Sequence, residues 1–114
     1  MIETVLINYL SGKIDVPVYM EKPARPPVSF VVIEKTGAAM SNQIETSLFA
    51  FQSHASTLFH AASLNETVKR AMLAAPGEVA EIASARLDSD YNFTDTASKQ
   101  YRYQAVFSIT HYEV

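Results

Sequence analysis

The chain has 114 residues, of which 48% are hydrophobic and 18% charged, and its formal net charge is −3. This size and composition predict a single globular domain, residues 1–114, that buries about two thirds of its unfolded surface. The acidic balance argues against a nucleic acid partner, because backbone binding needs a concentrated excess of Lys and Arg. The absence of cysteine excludes disulfides, thiolate metal sites and cysteine nucleophiles.

The first residues do not have the pattern of a targeting segment. Glu3 interrupts a short apolar stretch, and no Lys or Arg precedes it. A signal peptide needs a basic start and a membrane span needs a longer apolar run. We therefore expect a cytoplasmic location and no membrane partner.

The first third of the chain predicts one helix and two strands. Apolar residues recur at helical spacing from Ile2 to Leu10, and Gly12 stands where a helix would end. Val16–Met20 is predicted to be a strand, and its proline indicates an edge position or the start of a strand. Three prolines make Lys22–Pro27 a loop, and the β-branched run Val28–Lys35 predicts a central strand covered on both faces.

The remainder predicts a hairpin, a long helix and two further strands. These elements are a connection over Thr36–Met40, a strand over Gln43–Ser53, a helix from Ser56 or Thr57 to Ala75, and strands over Val79–Asp88 and Tyr101–Tyr112. The resulting order, α-β-β-β-α-β-β, predicts the α+β class: a single domain with a mainly antiparallel sheet flanked by two helices.

The last predicted strand alternates between two kinds of residue. One face carries Tyr101, Tyr103, Ala105, Phe107 and Ile109, and the other carries Arg102, Gln104, Ser108 and Thr110 with Val106 as the apolar exception. The first face is predicted to be buried. The second suits a packed surface or a subunit contact, because it contains no nucleophile paired with a base.

One acidic segment has some of the features of a calcium loop. Asp88, Asp90 and Asn92 provide alternating oxygen ligands. Phe93 stands where such a loop needs glycine, and Lys99 stands where it needs a bidentate glutamate. We therefore predict a β-connection and no metal site.

The three histidines also give no catalytic pattern. His54 and His60 are six residues apart, so they are not expected to share a helix face as metal ligands. His111 has only Thr110 and Glu113 as polar neighbours in sequence. The sequence thus predicts neither a catalytic site nor a cofactor, and we expect a protein that is not an enzyme.

Several segments together resemble a known family. They are Pro17–Glu21 with its proline loop, Phe30–Gly37, Leu64–Val68, Ser89–Asp95 and Lys99–Ala105. With these segments the chain resembles small tail-assembly proteins of siphophages and prophages of Gram-positive bacteria, and is similar to the tail terminators of long, non-contractile tails. The resemblance covers almost the whole chain and is most specific over Asp90–Ala105.

The resemblance implies a structural role in virion assembly. Tail terminators form a ring, typically a hexamer, on the head-proximal end of the tail tube. The ring stops tube polymerisation and joins the tail to the head. The implied partners are further copies of the chain, the major tail tube protein and the head-connector or stopper protein. The implied locations are the cytoplasm of the bacterial host during assembly and then the tail or neck of the virion.

Ring contacts are heterologous, so each copy must offer two different complementary patches. The loops Tyr91–Lys99 and Lys22–Pro27 are predicted to project from the sheet and to supply such contacts. The candidate interface residues are Arg25, Tyr91, Asn92, Phe93, Asp95, Lys99 and Arg102. Tyr91, Phe93 and Arg25 are of the types that anchor interfaces.

Two alternatives stay open from the sequence. A neck or head-completion adaptor of the same virion has a similar size and construction. A small-molecule-binding α+β domain is the alternative from another class, with a pocket lined by Tyr101, Tyr103 and His111. A fold of this class does not by itself indicate an activity.

Overall fold

The computed structural model describes residues 1–112 and contains one five-stranded sheet and two α-helices. The elements are α1 (Ile2–Ser11), β1 (Val18–Tyr19), β2 (Phe30–Ser41), β3 (Ile44–Ala55), α2 (Leu58–Ala74), a 3-10 turn (Ala75–Gly77), β4 (Ile82–Asn92) and β5 (Tyr101–Tyr112). The strand order is β1-β2-β3-β5-β4, and all pairs except β1–β2 are antiparallel. The predicted α+β class is confirmed. None of the helices within residues 1–112 has the length and apolar character to cross a membrane.

Both helices lie close to their predicted positions. Gly12 follows α1 in a right-handed conformation, so the helix ends there without using the left-handed freedom of glycine. The Thr57 side chain caps α2 by accepting a hydrogen bond from the His60 backbone N–H at 3.1 Å. The Tyr9 hydroxyl donates to the Ala71 carbonyl oxygen at 2.7 Å and thereby joins the two helices.

Both helices pack on one face of the sheet, here called the inner face, and the opposite face is the outer face. The core between helices and sheet includes Leu6, Leu10, Val31, Ile33, Phe49, Phe51, Val68, Met72, Phe107 and Ile109. The predicted inner face of β5 is confirmed, since Ala105, Phe107 and Ile109 are fully buried while Tyr101 and Tyr103 are half-buried.

The hairpin prediction is confirmed, but the turn lies later in the chain than predicted. Thr36–Met40, predicted as the connection, belongs to β2, which runs on to Ser41 with a bulge between Lys35 and Gly37. The segment looks like a loop because Gly and Ala disfavour strands. It is extended because it pairs with β3, whose other side is paired with β5.

The true turn is formed by Asn42 and Gln43, both in the left-handed region with φ of 53° and 66°. These angles are those of the two-residue turns that match the twist of a hairpin. Glycine is preferred at the second position of such a turn, because a Cβ atom costs about 1 kcal/mol there.

Gln43→Gly should therefore raise the free energy of unfolding by about 1 kcal/mol. Urea denaturation of the variant and of the unchanged protein measures this difference. Gln43→Ala is the control, because it shortens the side chain but keeps the Cβ atom. An equal gain in both variants would contradict the conformational explanation.

Three strand predictions differ from the structure. The predicted edge strand Val16–Met20 contains only the two residues Val18 and Tyr19, which pair in parallel with β2. β2 is second in the sheet, so it is not the central strand, although all four residues from Phe30 to Ile33 are buried as expected. β4 was predicted to end at Asp88 but continues to Asn92. The loop between β4 and β5 is therefore shorter than predicted.

Candidate interaction surface at the loop end of the sheet

The two loops predicted to make contacts lie at the same end of the sheet. We call residues 22–27 the proline loop and residues 93–100 the polar loop. The Lys22 Nζ donates to Gln100 Oε1 at 3.2 Å, which joins the two loops. A cavity of about 180 Å³ opens between them and is lined by residues of both. The sequence predicted both loops, but not that they meet.

Hydrogen bonds within the polar loop hold its shape. Asn92 Oδ1 accepts from the Thr94 backbone N–H at 3.0 Å, and Asp95 Oδ1 accepts from the Ala97 N–H at 3.1 Å. Asp95 and Gln100 exchange two backbone hydrogen bonds of 3.2 Å. Lys99 has a φ of 57°, which reverses the chain into β5. Asn92 and Asp95, predicted as contact residues, therefore shape the loop that carries Phe93 and Lys99.

Three predicted contact residues form one cluster, here called the Arg102 cluster: Tyr91, Phe93 and Arg102. The Arg102 guanidinium lies 4.4 Å from the centre of the Phe93 ring, and its Nε donates to the Phe93 carbonyl oxygen at 2.6 Å. The Tyr91 and Phe93 rings meet edge to face at 6.0 Å. The two rings are 42% and 37% exposed, which makes the cluster a rigid, accessible surface.

The remaining predicted residues have different positions. Tyr91 and Asn92 belong to the end of β4, which corrects the prediction of a loop from Tyr91 to Lys99. Arg25 is exposed in the proline loop, and Lys99 lines the cavity between the loops. The structure thus brings the predicted residues to one end of the sheet, but only Tyr91, Phe93 and Arg102 contact one another as a cluster.

His54 is the residue of this end that sequence reasoning missed. It is 5% exposed on the outer face, where its ring stacks on Phe30 at 4.3 Å and 9°. Its cross-strand neighbour on β5 is Arg102. Burial, followed by the charges of Arg102 and Lys22, lowers the pKa of His54 to about 4. The pairing of β3 with β5 places Arg102 beside it, and the proline loop brings Lys22.

The three calcium-like residues of β4 do not converge on one point. Asp88 accepts from the Ser108 hydroxyl at 2.5 Å on the outer face. Asp90 lies towards α2, where it accepts from Asn65 Nδ2 at 2.7 Å and pairs with Lys69. Among residues 1–112 there is no group of three His, Asp or Glu side chains able to hold a metal ion. The acidic residues of β4 therefore fasten the strand to its neighbours.

His111 has partners that its sequence neighbours did not reveal. Its Nε2 lies 2.9 Å from Ser47 Oγ and 3.2 Å from Glu45 Oε2. Hydrogen bonds from Ser47 and Lys35 lower the pKa of Glu45. A catalytic triad needs the hydroxyl and the carboxylate on opposite ring nitrogens, whereas here both contact Nε2, and Ser47 is fully buried. The contacts of His111 with Ser47 and Glu45 therefore have the geometry of side chains packed together.

Two strand edges of the sheet are open within the described residues 1–112. β4 pairs only with β5, and β2 from Ile33 to Ser41 pairs only with β3. The two edges differ in part, because the β4 edge carries Arg86 and Asp88. The β2 edge carries Glu34 and Lys35, but its last part, Thr36–Ser41, carries no charge. Charges protect an edge from pairing, so the uncharged part of the β2 edge, Thr36–Ser41, is less protected than the β4 edge.

A larger cavity of about 560 Å³ lies beside α2. It is lined by Phe59, Asn65, Arg70 and Tyr103, among others. Of the three residues predicted to line a small-molecule pocket, Tyr103 alone lines this cavity. Tyr101 lines the cavity between the proline loop and the polar loop, and His111 lines a third cavity. The predicted pocket of Tyr101, Tyr103 and His111 is therefore not a single site.

No protein-family model matches the chain, and none of the curated protein sequences is significantly similar to it.

Proposed function

We propose that this protein is a structural component of a phage or prophage tail, a terminator that forms a ring on the tail tube and joins the tail to the head connector. The resemblance over Asp90–Ala105 supplies the identity of the assembly. The observation that carries the proposal is the convergence of the proline loop and the polar loop at one end of the sheet. That end contains the Arg102 cluster, whose exposed aromatic rings and guanidinium are typical interface anchors.

The open edges support assembly into a ring. A ring needs two different surfaces on each copy, so that one patch contacts the other patch of the next copy. The charged β4 edge and the uncharged Thr36–Ser41 edge lie on opposite sides of the sheet and differ in chemistry. Such a pair of surfaces suits heterologous contacts between copies. A hexamer with the tube protein on one side and the connector on the other is the assembly we infer.

Deletion of the gene from its phage or prophage tests the proposal. Tail tubes without a terminator should continue to grow, and electron microscopy should show tails of uncontrolled length that do not join heads. Expression of the unchanged protein in trans should restore a uniform length. Arg102→Ala should restore it poorly, because it removes the guanidinium from the Arg102 cluster. Arg70→Ala, an exposed arginine on α2, is the matched control and should restore length fully.

The result also separates the alternatives. Tails of normal length beside unjoined heads would overturn termination and favour the neck adaptor. Normal virions after deletion would overturn both assembly roles. The cavity beside α2 is the observation that favours the small-molecule alternative, which a ligand-dependent rise in melting temperature would support.

A further inference from the structure

The cavity between the proline loop and the polar loop has two kinds of wall. One is apolar and includes Pro26, Val28 and Phe30. The other contains the cationic or hydrogen-bonding side chains of Lys22, His54, Lys99 and Gln100. A volume of about 180 Å³ admits a small polar group together with a short hydrocarbon stem.

The His54 imidazole provides an independent sign of a ligand. Its Nε2 is buried and has no hydrogen-bond partner among the described residues 1–112. A buried nitrogen without a hydrogen-bond partner destabilises the folded protein, so such atoms call for an explanation. Because His54 lines the cavity, a ligand there can supply the missing partner.

The charges around the cavity determine which ligand fits. Lys22 and Lys99 line it, and Arg102 lies beside His54 on the neighbouring strand. The two charges that act most on His54, those of Arg102 and Lys22, are both positive. Tyr101 adds a hydroxyl-bearing ring to the lining, and none of the described residues 1–112 contributes a carboxylate to this cavity. Ammonium groups and an imidazole N–H are donors, and donors of this charge favour an anionic acceptor.

We propose that this cavity is a binding site for a carboxylate group carried on a short aliphatic stem. The carboxylate oxygens accept hydrogen bonds from Lys22, Lys99 and the Nε2–H of His54. The stem packs on Pro26, Val28 and Phe30. The apolar walls favour a carboxylate over an inorganic oxyanion, because a fully hydrated anion gains nothing from apolar contact. Free small acids and acidic side chains of a protein share this chemistry.

Nuclear magnetic resonance of the His54 imidazole tests the site in the full-length chain. The His54 signals are assigned by their loss in His54→Gln. Added sodium acetate should shift them saturably, whereas sodium chloride of equal ionic strength should not. A bound carboxylate stabilises the imidazolium, so it should also raise the pKa of His54 above about 4.

Matched variants identify the donors. Lys22→Met should weaken acetate binding about tenfold, as expected for loss of one charged hydrogen-bond donor. Lys99→Asn should weaken it similarly, and asparagine tolerates the left-handed backbone of that position. Lys13→Met removes a lysine that pairs with Glu78 away from the cavity, and it should leave the dissociation constant unchanged.

A blocked peptide with a single glutamate distinguishes the two sources of the carboxylate. Binding of both acetate and the peptide assigns the site to an acidic side chain of a protein, and binding of acetate alone assigns it to free acids. Either result supports the proposal. A His54 signal that responds equally to acetate and chloride, or equal acetate binding by Lys22→Met and the unchanged protein, would overturn it. The titration needs no assembled tail, so its outcome is separate from that of the deletion experiment.

Discussion

Replacing Phe51 by alanine should lower the free energy of unfolding by about 3 to 5 kcal/mol, the largest effect we expect from a single substitution. Phe51 is fully buried in the middle of β3, and its ring meets that of Phe107 edge to face at 5.6 Å. The substitution removes apolar contacts and leaves a cavity between the sheet and the helices. Urea denaturation monitored by circular dichroism measures the loss.

Phe59→Ala is the matched control for this experiment. Phe59 belongs to α2 but is 76% exposed, so the same chemical change removes little buried surface. Its effect should stay within about 0.5 kcal/mol of the unchanged protein. Equal losses in the two variants would contradict the assignment of the core to the inner face of the sheet.

Lowering the pH from about 7 to 5 should cost about 2 kcal/mol of stability through His54 alone. Its pKa falls from the ordinary 6.5 to about 4 in the folded protein, chiefly because of burial. Below pH 6.5 the unfolded chain binds a proton at this residue that the folded protein does not bind until about pH 4. The stability is complete above pH 6.5 and is lost as the pH falls through this interval.

Urea denaturation at a series of pH values, in buffers free of carboxylates, measures this dependence. His54→Gln should remove most of it between about pH 7 and 5, because glutamine does not titrate. The half-buried carboxylate of Glu45 does not obscure the result. Hydrogen bonds lower its pKa below the ordinary value of 4.5, so its contribution to stability is lost at lower pH. An unchanged slope in His54→Gln would show that other groups cause the acid sensitivity.

The helix predictions succeeded because the local pattern and the packing agree. The apolar spacing from Ile2 to Leu10 matches the buried face of α1. In α2 the apolar residues Ala61 and Val68 are buried at helical spacing, but Asn65 is buried on the same face. Asparagine is normally exposed, and its burial depends on Asp90, which β4 brings within 2.7 Å. No local pattern signals such a partner.

The strand predictions failed where pairing outweighs propensity. Gly37, Ala38 and Ala39 have little preference for strands, yet they lie in β2 because β3 offers them a ladder of hydrogen bonds. Likewise, Asp90 and Asn92 have turn chemistry, but pairing with Ala105 and Tyr103 keeps them extended. The position of the polar loop, and with it that of the Arg102 cluster, followed from this pairing.

The amino-acid sequence by itself determined the α+β class, both helices, the hairpin and the buried face of β5, because hydrophobic periodicity and caps are encoded by residues close together in the chain. Only the tertiary structure decided the order of the strands and which residues contact one another at the end of the sheet that carries the proline loop and the polar loop. Lys22 and Gln100 are 78 positions apart in sequence, and His54 faces Arg102 only through the β3–β5 register. Contacts of this kind arise from the packing of whole elements, whose relative placement no local spacing records.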